Sequence, residues 1–87
     1  MKLLIENLNT STSSEDLAYL MGDLKGFIRS WIKTDNFGLS KGVGYASFES
    51  HFDGRQAIVQ YNGIKMHGRK IKITQIRETS NIYGLKS

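Results

Sequence analysis

Hydrophobic and polar residues alternate over Lys2–Leu8, with Leu3 and Ile5 on one side and Leu4 and Glu6 on the other. That two-residue period predicts a β-strand. Asn9 to Ser14 is a polar break, and Thr12–Ser13–Ser14–Glu15 reads as a capping box that opens a helix. Leu17, Leu20, Met21 and Leu24 then recur at helical spacing, and Gly26 ends the helix. Phe27–Thr34, rich in Phe, Ile and Trp, predicts a second strand, Asp35–Gly38 a turn, and Gly42–Glu49 a third strand. His51–Tyr61 predicts a second helix through Ala57, Ile58 and Tyr61, although Gly54 weakens it by about 1 kcal/mol relative to alanine. Asn62–Gly63 and His67–Gly68 are turns. Arg69–Ile76 predicts a fourth strand, with Lys70, Lys72 and Thr74 set against Ile71, Ile73 and, after a shift in register, Ile76.

The order strand, helix, strand, strand, helix, strand is the split β-α-β pattern. It predicts an α+β, ferredoxin-like β-α-β-β-α-β sandwich: a four-stranded antiparallel sheet with both helices on one face. The other face is left open, and what lines it decides function. The 87 residues make room for one domain, expected over residues 1–77, with 78–87 a flexible tail anchored only by Ile82, Tyr83 and Leu85. No apolar run approaches the roughly 18 residues of a membrane helix, so no membrane contact is expected. The absence of cysteine excludes disulfides, thiolate metal sites and cysteine nucleophiles. Charge is uneven: residues 1–24 hold one lysine against four carboxylates, a net −3, and residues 25–87 hold eleven Lys and Arg against four, a net +7. A polyanion-facing side opposite an acidic one accounts for this, as does a solvated basic surface.

Leu3–Leu8 (LLIENL) resembles the first-strand hexapeptide of the RNA-recognition motif family, an aliphatic-aromatic-aliphatic-x-Asn-Leu run. Lys41–Phe48 (KGVGYASF) resembles its third-strand octapeptide, with Val43 departing from the usual aromatic. Asn62–Gly63, Gly68–Arg69 and the leucine spacing of the first helix match as well, so the resemblance covers about residues 2–76. It implies single-stranded RNA laid across the sheet, with bases stacked on exposed aromatics. The three usual stacking positions are here Leu4, Val43 and Tyr45, so one ring remains. Stacking is worth about 1–3 kcal/mol per base, and two missing rings remove roughly 2–6 kcal/mol, about 30-fold or more in affinity. Weak intrinsic binding is therefore expected, supplemented by linkage within a larger RNA-processing protein. The spare termini fit a domain excised from such a protein. The family's commonest setting, mRNA processing, favours the nucleus over the cytoplasm.

Counting along the second strand puts Phe27, Ser30 and Ile32 toward the core and Trp31 and Lys33 onto the open face. Trp31 would then be a stacking platform beside Tyr45 and Ser47, and Lys33 a phosphate contact. A bulge that rotates the strand would instead bury Trp31. Lys70 and Lys72 share the open edge, where they neutralise phosphates or guard the strand against aggregation. Glu6 repels phosphate, yet its carboxylate can accept from a base amino group. Lys41, closing the Asn36–Lys41 loop, is a further phosphate candidate. Phe37 in that loop is a stacking ring or a packing anchor, and Tyr83 is a candidate to fold back over the sheet.

Other readings are weaker. An acylphosphatase needs a glycine-rich loop with an arginine after the first strand, and Asn9–Ser14 has neither. His51 and His67 lie in different connections and fit surface positions better than metal ligands. Gly42–Val43–Gly44 is a weak nucleotide fingerprint. No enzyme activity, metal or cofactor is therefore expected. The main alternative is an RRM-fold protein–protein interaction module in a ribonucleoprotein complex. One peptide-binding subclass carries Arg-x-Phe where this chain has Ile64–Lys65–Met66, so only contact through the acidic first helix (Glu15, Asp16, Tyr19, Asp23) remains. The isolated domain is expected to be a monomer.

Overall fold

The computed structural model describes residues 1–77. In chain order it comprises β1 (Lys2–Glu6), α1 (Ser14–Met21), β2 (Phe27–Thr34), β3 (Ser40–Phe48), α2 (His51–Tyr61), β4 (Lys65–Met66), β5 (Arg69–Lys70) and β6 (Lys72–Ile76). Four strands form one antiparallel sheet in the order β2-β3-β1-β6, and β4 and β5 make a separate hairpin. This is the expected ferredoxin-like sandwich. Leu3 and Ile5 of β1, Ala46 and Phe48 of β3 and Ile73 of β6 point to one side. There they meet Leu17 and Met21 of α1 and Ala57 of α2. Burying each large side chain of this set contributes about 1.5–3 kcal/mol. Among the described residues no helix is long and apolar enough to cross a membrane.

Both helices are capped by serine hydroxyls. The α1 box lies one residue later than the sequence suggests: Ser13 Oγ accepts from the Asp16 amide at 3.1 Å, and the Asp16 carboxylate accepts from the Ser13 amide at 2.9 Å. The Thr12 hydroxyl is engaged elsewhere, buried and 2.8 Å from His67 Nδ1. Helix α1 also stops at Met21 rather than near Gly26, capped by the Gly22 amide on Ala18 O. Leu24 reaches the core from the following turn. Gly26 has φ +81, and a side chain there would collide with the Asp53 carboxylate.

Three register features position the open face. In β2, Phe27 pairs with Phe48 and Arg29 with Ser47, so Ile28 is an extra residue in a bulge. Beyond it Ser30 and Ile32 lie opposite Ala46 and Gly44 on the core side, and Trp31 lies opposite Tyr45 on the other. Strand β6 pairs with β1 without a break from Lys2↔Ile76 to Glu6↔Lys72. Ile76 therefore shares the open face with Lys72 and Thr74, contrary to the inward position expected after a register shift. Finally, Arg69–Ile76 is not one strand. Arg69 and Lys70 pair with Met66 and Lys65 across a tight turn in which His67 (φ 49) and Gly68 (φ 83) are both left-handed. Ile71 still pairs beside the hairpin, its amide donating to Ile64 O at 2.9 Å, and pairing with β1 begins at Lys72. Lys70 accordingly belongs to the hairpin, not to the open edge of the main sheet.

Candidate nucleic-acid interface

Strand alternation gives the open face its contents. Strand β1 contributes Lys2, Leu4 and Glu6, β3 contributes Val43, Tyr45 and Ser47, and β6 contributes Lys72, Thr74 and Ile76. The bulge brings Arg29 and Trp31 of β2 to the same side, and Lys33 follows at a second register shift between Ile32 and Thr34. Leu4 lies between Tyr45 and Thr74, so the apolar strip runs Trp31, Tyr45, Leu4 across three strands. Val43 flanks it on β3.

The Trp31 and Tyr45 rings are already stacked, with centroids 5.3 Å apart and planes 25° apart. Such a pair contributes about 0.5–1.5 kcal/mol beyond burial and fixes the orientation of the two rings. The Arg29 guanidinium sits 4.6 Å from the Trp31 centroid and the Lys2 ammonium 5.8 Å from it. Cation–π attraction holds each at about 0.5–1 kcal/mol at an exposed site. The result is a pair of stacked rings with two cations over Trp31.

Lys33, Lys41 and Lys72 are exposed; Lys41 borders an open groove of about 460 Å³ beside the sheet, which Glu6, Val43 and Arg69 also line. Lys70 is exposed too, and its carbonyl accepts from Asn7 Nδ2 at 2.8 Å. Phe37 is 88% exposed at the tip of the β2–β3 loop. That loop is held by the Asp35 carboxylate, which accepts from the Phe37 and Leu39 amides at 2.8 and 2.9 Å. The Leu39 amide first, then that of Phe37, holds the Asp35 pKa below its ordinary value. Asp16 is lowered likewise, chiefly by the Ser13 amide.

Sequence reasoning missed Arg29, Lys2, Thr74, Ile76 and Arg69. Lys2 shares parity with Leu4, and Arg29 with Trp31, so both were legible. His67 is bonded to Thr12, and His51 Nδ1 lies 3.4 Å from Gln75 Nε2. Among the described residues no three His, Asp or Glu side chains converge as metal ligands. Tyr83 lies outside the described residues.

The RNA recognition motif model matches residues 3–72. The chain belongs to this family. It is 33% identical over 72 residues to THO complex subunit 4B of Arabidopsis thaliana, covering 83% of this chain and 25% of that protein. It is 31% identical over 77 residues to a subunit of eukaryotic translation initiation factor 3 of Caenorhabditis elegans, covering 87% of this chain and 29% of that one. This RRM thus spans between a quarter and three-tenths of these relatives. The second RRM domain of yeast poly(U)-binding protein superposes with a TM-score of 0.84 at 26% identity, over 88% of this chain and 94% of that one.

Proposed function

We propose that this RRM is a noncatalytic module that binds single-stranded RNA across its open sheet face, with low affinity alone. The stacked Trp31–Tyr45 pair carries this reading, since in a family of RNA-binding domains it restores one of the two lost rings. Tyr45 stacks a central base, Trp31 a neighbour, and Leu4 and Val43 support the strand by van der Waals contact. Ser47 is a hydrogen-bonding group beside Tyr45. Lys33, Lys41, Lys72 and Arg29 hold phosphates, and Lys70 reaches a strand that continues past the hairpin.

Poly(U) binding by the yeast relative's parent protein makes a uridine-rich strand the first probe. The two curated relatives are named as subunits of larger assemblies, which supports a role inside a ribonucleoprotein complex, nuclear or cytoplasmic. The test is fluorescence anisotropy on a labelled uridine octamer, comparing the wild type with Trp31→Ala and Tyr45→Ala. Each variant should lose about 5- to 150-fold in affinity while keeping its fold. If neither loses affinity, the rings do not stack bases, and protein contact through the helical face becomes the better reading.

A further inference from the structure

The groove of about 460 Å³ beside the sheet is not explained by stacking on Trp31 and Tyr45. Its volume falls in the range that encloses a small ligand of nucleotide size. Two of its lining residues, Glu6 and Val43, face the open side of the sheet, so groove and sheet are continuous. Its far wall is the Asn7–Thr10 loop, and Lys41 and Arg69 bring the positive charge.

The walls are fixed before any ligand arrives. Asn7 adopts the left-handed conformation (φ 64); its Oδ1 accepts from the Arg69 guanidinium and its Nδ2 donates to Lys70 O at 2.8 Å. Asn9 Nδ2 donates to His67 O at 3.0 Å, and the Leu8 amide donates to Gly42 O at 2.9 Å. The loop after β1 is thereby tied to both the β4–β5 hairpin and β3. A carboxylate in a groove flanked by cations is suited to a ligand that combines phosphate with a donor-rich edge. Glu6, half-buried at the lip, supplies acceptors only. Among the RNA bases, guanine alone presents two adjacent donors, N1–H and N2–H₂, that match both oxygens of a carboxylate.

Resting on the reading of the open face as an RNA site, we propose that the groove selects one guanine nucleotide of the bound strand. Its Watson–Crick edge donates to the Glu6 carboxylate, and Lys41 and Arg69 hold the flanking phosphates. The base stacked on Tyr45 is its neighbour. The domain thus prefers a guanine at one position and tolerates any base on the rings.

The test is a scan of labelled uridine octamers carrying a single guanosine, adenosine, cytidine or inosine at each interior position, measured by anisotropy at fixed salt. One guanosine register should bind about tenfold or more tighter than all-uridine, the discrimination typical of a two-bond contact to a base edge. Inosine, which lacks the N2 amino group, should lose most of that gain. Glu6→Gln should collapse the guanosine-to-uridine ratio toward one, and tighten the all-uridine strand by removing a negative charge. The inference is overturned if uridine octamers bind with no guanosine preference, or if the preference survives Glu6→Gln. If no strand binds and neither Trp31→Ala nor Tyr45→Ala changes anything, the RNA reading itself falls, and this inference with it.

Discussion

Leu4 and Val43 stand where the family places rings, and both remain on the open face, flanking Tyr45. Each is a hydrophobe of the right polarity but without a π-face, so it supports a base and does not hold it. Leu4→Phe or Val43→Phe should therefore strengthen RNA binding, each by up to about 5- to 150-fold, read by anisotropy. Asp35 makes a different residue-scale prediction. Amide donors from Leu39 and Phe37 hold its pKa below the ordinary value of 3.8. The ordering it gives the β2–β3 loop is complete above pH 3.8 and lost as pH falls through the lower folded value. The protection of the Phe37 and Leu39 amides, measured as exchange relative to the intrinsic rate at each pH, should fall only in that acid range, and Asp35→Asn should remove that fall.

At the scale of elements, strand β2 shows what a sequence conveys and what it hides. Phe27, Ser30 and Ile32 do not share a two-residue period, yet all three face the core because Ile28 is looped out between Phe27 and Arg29. The apolar content of Phe27–Thr34 made the strand legible. The bulge depends on pairing with β3, which no local pattern encodes. The α1 cap was misplaced by one residue for a similar reason: Thr12 and Ser13 are equivalent locally, and only the distant His67 withdraws Thr12. Ser13→Ala should thus cost about 1 kcal/mol in chemical denaturation, while Glu15→Ala changes stability little. The two-residue hairpin β4–β5 was invisible as strands because two residues carry no period, although its His67–Gly68 turn was legible. Placing Lys70 on the sheet followed from missing that hairpin. Gly44 shows the opposite case, a weak motif with a packing role: a side chain there would meet Leu17 Cδ1 and Trp31 O at 3.0 Å. Gly44→Val should destabilise by about 1–3 kcal/mol in the same assay.

For the whole molecule, element order and the two strand motifs were enough for the fold, because a split β-α-β pattern buries its hydrophobic faces in few ways. The candidate site was legible where strands alternate without interruption, as in β1 and β3. At β2 the outward Trp31 and the inward Phe27, Ser30 and Ile32 were legible although the bulge itself was not, and at β6 Lys72 was legible while Ile76 was not, because its side depends on the unbroken register with β1. The sandwich separates an acidic α1, with Glu15 and Asp16 in its first turn, from a sheet face bearing Lys2, Arg29 and Lys72. RNA binding should accordingly weaken with salt, log K falling by about 0.7 per phosphate neutralised for each tenfold rise in salt. Lys72→Ala should reduce that slope by about one such increment. The most direct measurement is an amide chemical-shift titration with a uridine-rich octamer containing one guanosine, at about 0.1 M salt, where a Debye length of about 10 Å leaves close contacts intact. Shifts should concentrate at Trp31, Tyr45, Lys33 and Lys72, with the helices silent. A sheet that stays silent at millimolar RNA would contradict this.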